Sequence, residues 1–435
     1  MELGLSSTPP RPLDINLTLT STLRAVIARR RSLLVAAMFV DTLGGGLLVP
    51  FELVYGLEVA HLSLATAGLM LSLGAAASIA TGPVAGVAVD SFGPIRVVVA
   101  ANVLGVAGCA SLLAWTSAWG YGVAAFLLSA NMRVFWAAYT PLVASIASAA
   151  ELERWFGRLR GARYVGLAAG QAVSGLAFVL GETSGLRALV AADGASFALA
   201  VALVIAATEG ANPTAAPARE DARGGYRLAI ADGVNAAAAA LNVAATILLT
   251  APILALPVFA LERLQLSTWL PGLLTAVVTA IAAGGLILVT RLVAGRRRLR
   301  NMQLAIGLWG VAFALFLLAP LDAALAYVVL FAGVALIGVG EAVYAPTADA
   351  LATALAPPHL RGRYAALHQL AWGVSESVAP LLVAITLATG NYTLWLILAA
   401  LAAVTAAAYR VLERAAGARD GRAGSDLDAA EPLAA

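Results

Sequence analysis

The sequence contains no lysine, so all 27 residues counted as Lys or Arg are arginine. A nucleotide-binding P-loop needs a Gly-Lys-Ser/Thr step, and a P-loop ATPase is therefore excluded. The single cysteine, Cys109, cannot form a disulfide within the chain. The three histidines are scattered, and neither a His-Glu-x-x-His nor a Gly-x-Ser-x-Gly motif occurs. These absences predict a protein that is not an enzyme and that has neither a metal site nor a cofactor.

Charged residues are also scarce: they make up 12% of the 435 residues, whereas 61% are hydrophobic. A soluble domain of ordinary composition does not have this balance, which indicates a polytopic membrane protein. A helix needs roughly 20 apolar residues to cross a bilayer core of about 30 Å. On that criterion we predict an all-α protein with twelve spans, at residues 33–57, 64–89, 94–116, 120–149, 160–181, 186–207, 232–259, 268–294, 301–319, 324–354, 364–389 and 392–412.

The arginines fall in alternate loops, and basic residues in short loops are held on the cytoplasmic side. The basic segments contain Arg29, Arg30, Arg31, Arg96, Arg154, Arg158, Arg160, Arg163, Arg219, Arg223, Arg227, Arg296, Arg297, Arg298, Arg300, Arg361, Arg363, Arg414 and Arg419. The other loops carry only Arg187 and Arg263. This alternation predicts that both termini are cytoplasmic. The net charge of +3 then reflects topology and requires no nucleic-acid partner.

Short sequence elements recur at an offset of about 204–205 residues. The first set is Leu62, Ser63, Gly68, Leu69, Tyr139, Pro141, Gly157 and Arg158, and the second is Leu266, Ser267, Gly272, Leu273, Tyr344, Pro346, Gly362 and Arg363. A constant offset is what two fused, pseudo-symmetric six-helix halves give. We predict a cytoplasmic segment at 1–31, a first bundle at 32–208, a linker at 209–226, a second bundle at 227–414 and a disordered cytoplasmic tail at 415–435.

The loop after the second predicted span has the spacing Gly-x-x-x-Asp-x-x-Gly-x-x-Arg, formed by Gly86, Asp90, Gly93 and Arg96. It resembles the loop between helices 2 and 3 of the major facilitator superfamily. The resemblance implies the major facilitator fold, alternating access, and a cytoplasmic gate in which Asp90 pairs with basic groups and the N-terminus of helix 11. Other expected gate members are Arg96, Glu151, Glu153 and Arg361. The alternative is a surface acid whose pairing contributes about 0–1 kcal/mol.

Asp41 and Arg133 are ionisable residues inside predicted spans, where charge is expensive and commonly functional. Asp41 lies about 13 Å into the core, and Arg133 lies within a few ångströms of the same depth. Asp41-Thr42 with Pro50 resembles the helix-1 signature of drug:proton antiporters, and Arg133 with Ala137 four residues on resembles their helix-4 arginine motif. We predict that Asp41 exchanges protons and that Arg133 is its partner. The alternative is a permanent structural pair.

Two further acids are candidates for the substrate cavity. Glu52 is eleven residues beyond Asp41, which places it on nearly the same helix face, but it could equally be a solvated residue at the helix end. Glu341 corresponds, by the repeat offset, to a position one turn from Arg133 in the other half. Weaker candidates are Asn131, Asn235, Asn242, Gln171, His368 and Glu376, because polar residues in spans often serve helix–helix packing.

The antiporter resemblance favours proton-coupled efflux of drugs or small amphipathic metabolites. A proton-coupled uptake symporter for a sugar, amino acid or carboxylate is the alternative, because the predicted fifth helix has Gly166, Gly170 and Gly175 in place of an antiporter Gly-Pro signature. A sensor or binding protein that does not transport is a third. The expected partners are a small-molecule substrate, protons and the lipid bilayer. We expect a monomer in a bacterial inner (plasma) membrane.

Overall fold

The computed structural model describes the backbone of residues 12–146, 151–208, 225–293, 298–355 and 361–429, and the secondary structure in these ranges is helical. The helices are α1 (Pro12–Leu48), α2 (Glu52–Glu58), α3 (Leu64–Ser78), α4 (Thr81–Phe92), α5 (Pro94–Ala114), α6 (Ala118–Ile146), α7 (Leu152–Ser174), α8 (Glu182–Thr208), α9 (Gly225–Ala231), α10 (Gly233–Val258), α11 (Leu270–Val293), α12 (Arg298–Phe316), α13 (Ala323–Leu355), α14 (Arg361–Thr389) and α15 (Thr393–Ala429).

Within the described ranges, ten helical stretches are long and apolar enough to cross a membrane. The predicted fourth and eighth spans are not among them, although both are helical, as α6 and α11. Asn131 and Arg133 lie in the middle of α6 and lower its hydropathy, and the apolar stretch of α11 is described only over Leu270–Gly285. An all-helical protein with about ten apolar spans is therefore confirmed, and the count of twelve stays a prediction.

Several helix boundaries differ from those expected. The first span is broken by a 3₁₀ turn at Val49–Phe51, which contains Pro50, because proline cannot donate the hydrogen bond that continues an α-helix. The fifth span begins at Leu152 and not at residue 160. At the chain ends, α1 begins at Pro12 and α15 continues to Ala429. The disordered cytoplasmic tail at 415–435 stays a prediction, although the described helix α15 extends into this region. The linker residues 209–224 lie outside the described residues.

The helices pack as two groups. In the first, α1 contacts α7 and α8, while α5 and α3 both contact α6. In the second, α12 contacts α13 and α15, while α10 contacts α14. The two halves meet where α3 packs on α14 and where α7 packs on α11, and we call these two contacts the seam. We call the end of the molecule at which α4 ends and α7 begins the arginine-rich end, and the other the opposite end.

Glycines allow the first helix to approach α7 closely. A Cβ atom at Gly166 would overlap the carbonyl oxygen of Phe39, and one at Gly170 would overlap that of Leu43. Both carbonyls belong to the backbone of α1, which cannot move aside as a flexible side chain can. The glycines of the predicted fifth helix therefore serve close helix packing.

We expect Gly170→Ala to destabilise the protein and Gly161→Ala, in the same helix, to leave its stability unchanged or slightly improved. The added methyl group at residue 170 meets the α1 backbone, and overpacking of this kind costs about 1–3 kcal/mol. At Gly161 no atom lies within 4 Å of the added Cβ, and alanine favours helix by about 0.5–1 kcal/mol. Thermal unfolding of both variants in detergent measures the difference. Equal midpoints would mean that α1 and α7 are not held at this distance.

The seam has two equivalent glycine contacts near the opposite end. A Cβ at Gly68 in α3 would lie 2.7 Å from the carbonyl oxygen of Pro380 in α14. A Cβ at Gly272 in α11 would overlap the carbonyl oxygen of Gln171 in α7. These glycines are 204 residues apart in the sequence and occupy corresponding positions in the repeat. In each half, one glycine therefore packs directly against the backbone of the other half.

Candidate functional site

Arg133 forms the ion pair that joins the two halves. Its Nη2 lies 3.0 Å from Oε2 of Glu376 in α14. Its Nε donates a 2.7 Å hydrogen bond to Oγ of Ser78, and Nη2 donates a longer one, of 3.4 Å, to the carbonyl oxygen of Ala75. The guanidinium is thus fixed to its own half through α3 while it binds the other half through Glu376. Only 14% of the Arg133 side chain is exposed, against 32% for Glu376.

Asp41 is not the partner of Arg133. Its side chain lines a small cavity of about 20 Å³ inside the first half, which holds about one water. The cavity is lined by Leu34, Ala37, Met38, Asp41, Val98, Asn102, Phe135, Leu142, Leu159, Ala200 and Val204. Oδ1 of Asp41 and Oδ1 of Asn102 are both buried, and neither has a hydrogen-bond partner in the described part of the chain. A water or a carboxyl proton would satisfy both oxygens.

Asp193, in α8, is a buried acid that our sequence reasoning missed. Its side chain is 3% exposed, it accepts a weak 3.6 Å hydrogen bond from the thiol of Cys109, and it packs against Gly44 of α1. It lies close enough to interact electrostatically with Asp41. An aspartate inside the predicted sixth span was the signal that could have identified it.

Glu52 lies beyond the 3₁₀ turn, so the assumption of one continuous helix from Asp41 does not hold. Its side chain is half-buried, and its backbone oxygen accepts a 2.7 Å hydrogen bond from the hydroxyl of Tyr121. Its carboxyl group interacts electrostatically with Asp193 and Glu376. Glu52 thus lies close enough to both Asp193 and Glu376 to interact with their charges.

Arg163 interacts electrostatically with both Asp41 and Glu341. The sequence analysis places Arg163 in a basic loop segment. Because α7 begins at Leu152, Arg163 instead lies eleven residues, or about 16 Å, along this helix. Its Cζ lies 5.1 Å from the ring centroid of Trp136 in α6. Asp41 in α1 and the half-buried Glu341 in α13 both interact with its charge. The second half thus contributes Glu341 to the surroundings of Arg163.

The predicted gate loop adopts a tight turn. Gly93 has a φ of +82°, a conformation that favours glycine, and this lets the chain leave α4 and enter α5 directly. Gly86 is half-buried, and Asp90 and Arg96 are exposed. Asp90 forms no ion pair with any side chain that the structure describes. The side chains of Glu153 and Arg361, two expected gate partners, lie outside the described residues.

A basic and aromatic cluster lies at the arginine-rich end. Arg31 forms a 3.0 Å ion pair with Glu151, which ties the helix of the first span to the start of α7. The Trp155 ring is contacted by Arg31 at 5.1 Å and by Arg158 at 5.0 Å from its centroid. Glu151 therefore belongs to an ion-pair network at this end. Its partner in this network is Arg31, which was not among the expected gate members.

These features are those of a transporter, and the family comparison agrees. The family model described as Major Facilitator Superfamily matches residues 34–380, with a second match over 295–432. The chain belongs to the Major Facilitator Superfamily. By sequence, no curated protein matches it.

Solved structures of superfamily transporters share the fold. A mutant of the nucleoside transporter NupG superposes with a TM-score of 0.76 at 14% identity, covering 88% of this chain and 99% of that one. A POT family transporter in complex with a thioalcohol-conjugated peptide gives 0.70 at 12%, covering 88% and 96%. An auto-inhibited POT family peptide transporter gives 0.69 at 14%, covering 89% and 97%. At these identities the likeness shows the fold alone.

One group of carboxylates in this superfamily member was not expected from the sequence. The ligand oxygens of Glu58, Glu182 and Glu262 lie within 4.8 Å of one another at the opposite end, and Glu182 and Glu262 are exposed. Exposed acidic groups of this kind are common without an ion, and we assign no metal to them. A multi-pass transporter fold, and not an enzyme, is what family and fold together indicate.

Proposed function

We propose that the chain is a secondary active transporter that exports small amphipathic metabolites or drugs in exchange for protons. The ion pair between Arg133 and Glu376 carries the proposal, because it joins the two halves through a group that can bind a proton. Protonation of Glu376 removes the negative charge that holds α14 to Arg133. The arginine stays bound to Ser78 on its own half, so the halves can separate without leaving it unpartnered.

The arginine-rich end is the cytoplasmic side in this proposal, following the distribution of basic residues. The glycine contacts at Gly68 and Gly272 then close the seam on the outer side. In this proposal the structure represents an inward-facing state, in which the substrate site is reached from the cytoplasm. The proposed proton route to the seam contains three further protonatable groups, which are Asp41, Glu52 and Glu341.

Uptake of a nutrient by proton symport is the second candidate. The similarity in fold to a nucleoside transporter and to peptide transporters favours it. The two candidates share the ion pair and differ in whether proton and solute move in opposite directions or together.

We expect amphipathic solutes to collapse an imposed pH gradient in inside-out vesicles containing the native protein, and Asp41→Asn to reduce this proton movement about tenfold. The substitution removes a protonatable group that sits beside a water-sized cavity. A pH-sensitive dye reports the gradient, and sugars, amino acids and nucleosides are tested alongside. Asp322→Asn, at the N-terminus of α13, is the control and should behave as native.

Each result either assigns the direction of transport or contradicts a part of the proposed proton-coupled mechanism. A response to nutrients alone would establish uptake in place of export. If Asp41→Asn matches the native protein, Asp41 is not part of the coupling route. If no solute moves protons, proton-coupled transport is wrong for this chain.

A further inference from the structure

Arg163 forms no ion pair or hydrogen bond with the residues that the structure describes. Among the described residues, its contacts are with two aromatic rings: Cζ lies 5.1 Å from the Trp136 centroid and 5.8 Å from that of Tyr164. The structure gives its guanidinium no hydrogen bond and no ion pair within the described ranges. Arg133, by contrast, bonds to Glu376, Ser78 and Ala75. A guanidinium deep in a bundle is costly unless it is paired, so its five donors point to a ligand.

Tyr164, the neighbour of Arg163 in the sequence, lines a cavity between the two halves. Trp136 is 39% exposed, although it lies in the middle of α6. Tyr164 and its neighbours in α7 line a cavity of about 520 Å³ against α11 of the other half. The cavity is lined by Tyr164, Val165, Ala168, Ala169, Ala172, Leu273, Ala276, Val277, Ala280 and Ala283. The cavity is linked to the arginine through Tyr164, whose ring centroid lies 5.8 Å from Cζ of Arg163.

A second polar group without a partner lies next to the same aromatic residues. Tyr139 is 4% exposed, its ring centroid is 5.1 Å from that of Trp136, and its hydroxyl has no hydrogen-bond partner in the part of the chain that is described. The Tyr139 side chain also interacts electrostatically with Arg163. A buried hydroxyl without a partner is unfavourable, and a ligand oxygen would satisfy it.

The geometry points to an aromatic or amphipathic carboxylate as the substrate, held by Arg163 through its carboxylate and by Trp136 through its apolar part. A guanidinium binds a carboxylate through two parallel hydrogen bonds, and the aromatic rings around Arg163 supply apolar contact. This inference rests on the proposed transport function and names its substrate class.

Asp41 and Glu341 compete with such a substrate for Arg163. Both carboxyls interact with its charge and neither bonds to it, and they lie in different halves of the protein. An arriving carboxylate repels both acids, so its binding is strongest when they hold protons. Carboxylate binding at Arg163 and protonation of Asp41 and Glu341 therefore favour each other, which couples substrate and protons in the same direction and supports the symport candidate.

Binding of indole-3-acetate and of its uncharged amide to the purified full-length protein in detergent tests the inference. We expect calorimetry to show binding of the acid and at least tenfold weaker binding of the amide. Arg163→Gln should weaken acid binding by roughly tenfold to a hundredfold, because a hydrogen bond to a charged group is lost. Arg163→Lys should retain part of the affinity. Arg158→Gln is the matched control, since Arg158 lies in the same helix and contacts a tryptophan at 5.0 Å, but is exposed.

Glu341→Gln should change the affinity for the acid in the opposite direction, and this test does not depend on the folding of an Arg163 variant. Removal of a competing carboxylate should raise the affinity for indole-3-acetate severalfold. Equal binding of acid and amide, no binding of the acid at millimolar concentration, or an unchanged affinity in Arg163→Gln would each overturn the inference. If neutral or cationic solutes still move protons in vesicles, the transport function stands and only the carboxylate inference falls.

Discussion

Glu376→Gln is expected to abolish proton-driven accumulation of substrate while leaving the exchange of substrate across the membrane intact. Glutamine has nearly the shape of glutamate but carries no charge and binds no proton, so the link to Arg133 stays permanently weak. The two halves can still separate and close. With one proton coupled to one solute and no membrane potential, a gradient of about two pH units sustains about a hundredfold solute ratio, and the variant should fall to about one.

The measurement pairs accumulation in energised vesicles with counterflow in the absence of a gradient. Glu413→Gln is the control, because Glu413 forms an ion pair of the same 3.0 Å length with Arg300 far from the seam. We expect it to accumulate substrate as the native protein does. Normal accumulation in Glu376→Gln would refute the coupling role of the seam ion pair, whereas the loss of counterflow as well would indicate a folding defect.

The second large effect is on stability. We expect Arg133→Met to lower the free energy of unfolding by about 3 kcal/mol, because Glu376 and Ser78 lose their partner. This is the lower end of the 3–5 kcal/mol range for fully buried pairs, since the Glu376 side chain is 32% exposed. The double variant Arg133→Met/Glu376→Gln should recover most of the loss, because it leaves no uncompensated carboxylate.

Thermal unfolding in detergent measures both variants, with Arg300→Gln as the control. The Arg300 side chain is 68% exposed, and loss of an exposed ion pair costs about 0–1 kcal/mol. A double variant that is no more stable than Arg133→Met alone would show that Glu376 does not depend on Arg133. The stability of the bundle would then rest on its apolar packing and not on this pair.

Most of the helices could be predicted from hydropathy alone, because they are long, apolar and separated from the next by polar or glycine-rich residues. The loop motif and the repeat identified the superfamily for the same reason, since both are local patterns. The predicted fourth and eighth spans are not long and apolar enough, over the described residues, to count as membrane spans. The polar residues Asn131 and Arg133 that make α6 functional are also those that make it less hydrophobic.

The pairing inside the site could not be predicted. Similar depth suggested that Asp41 and Arg133 meet, but depth does not fix the direction of a side chain around its helix. Asp41 faces Asn102 in the core of the first half, while Arg133 faces Glu376 in the second half. A contact between residues 243 positions apart depends on how the two bundles dock. Arg163 was misassigned because the start of α7 cannot be read from an arginine-rich segment.

The seam glycines also influence the entropy of opening and closing. Side chains that are trapped at a contact lose rotamer freedom, and for long side chains this costs up to about 2 kcal/mol each. Gly68 and Gly272 place backbone against backbone, so they trap no rotamers when the outer side closes and release none when it opens. At these two positions the halves thus meet through the backbone, and no side chain of either glycine has to disengage when they separate.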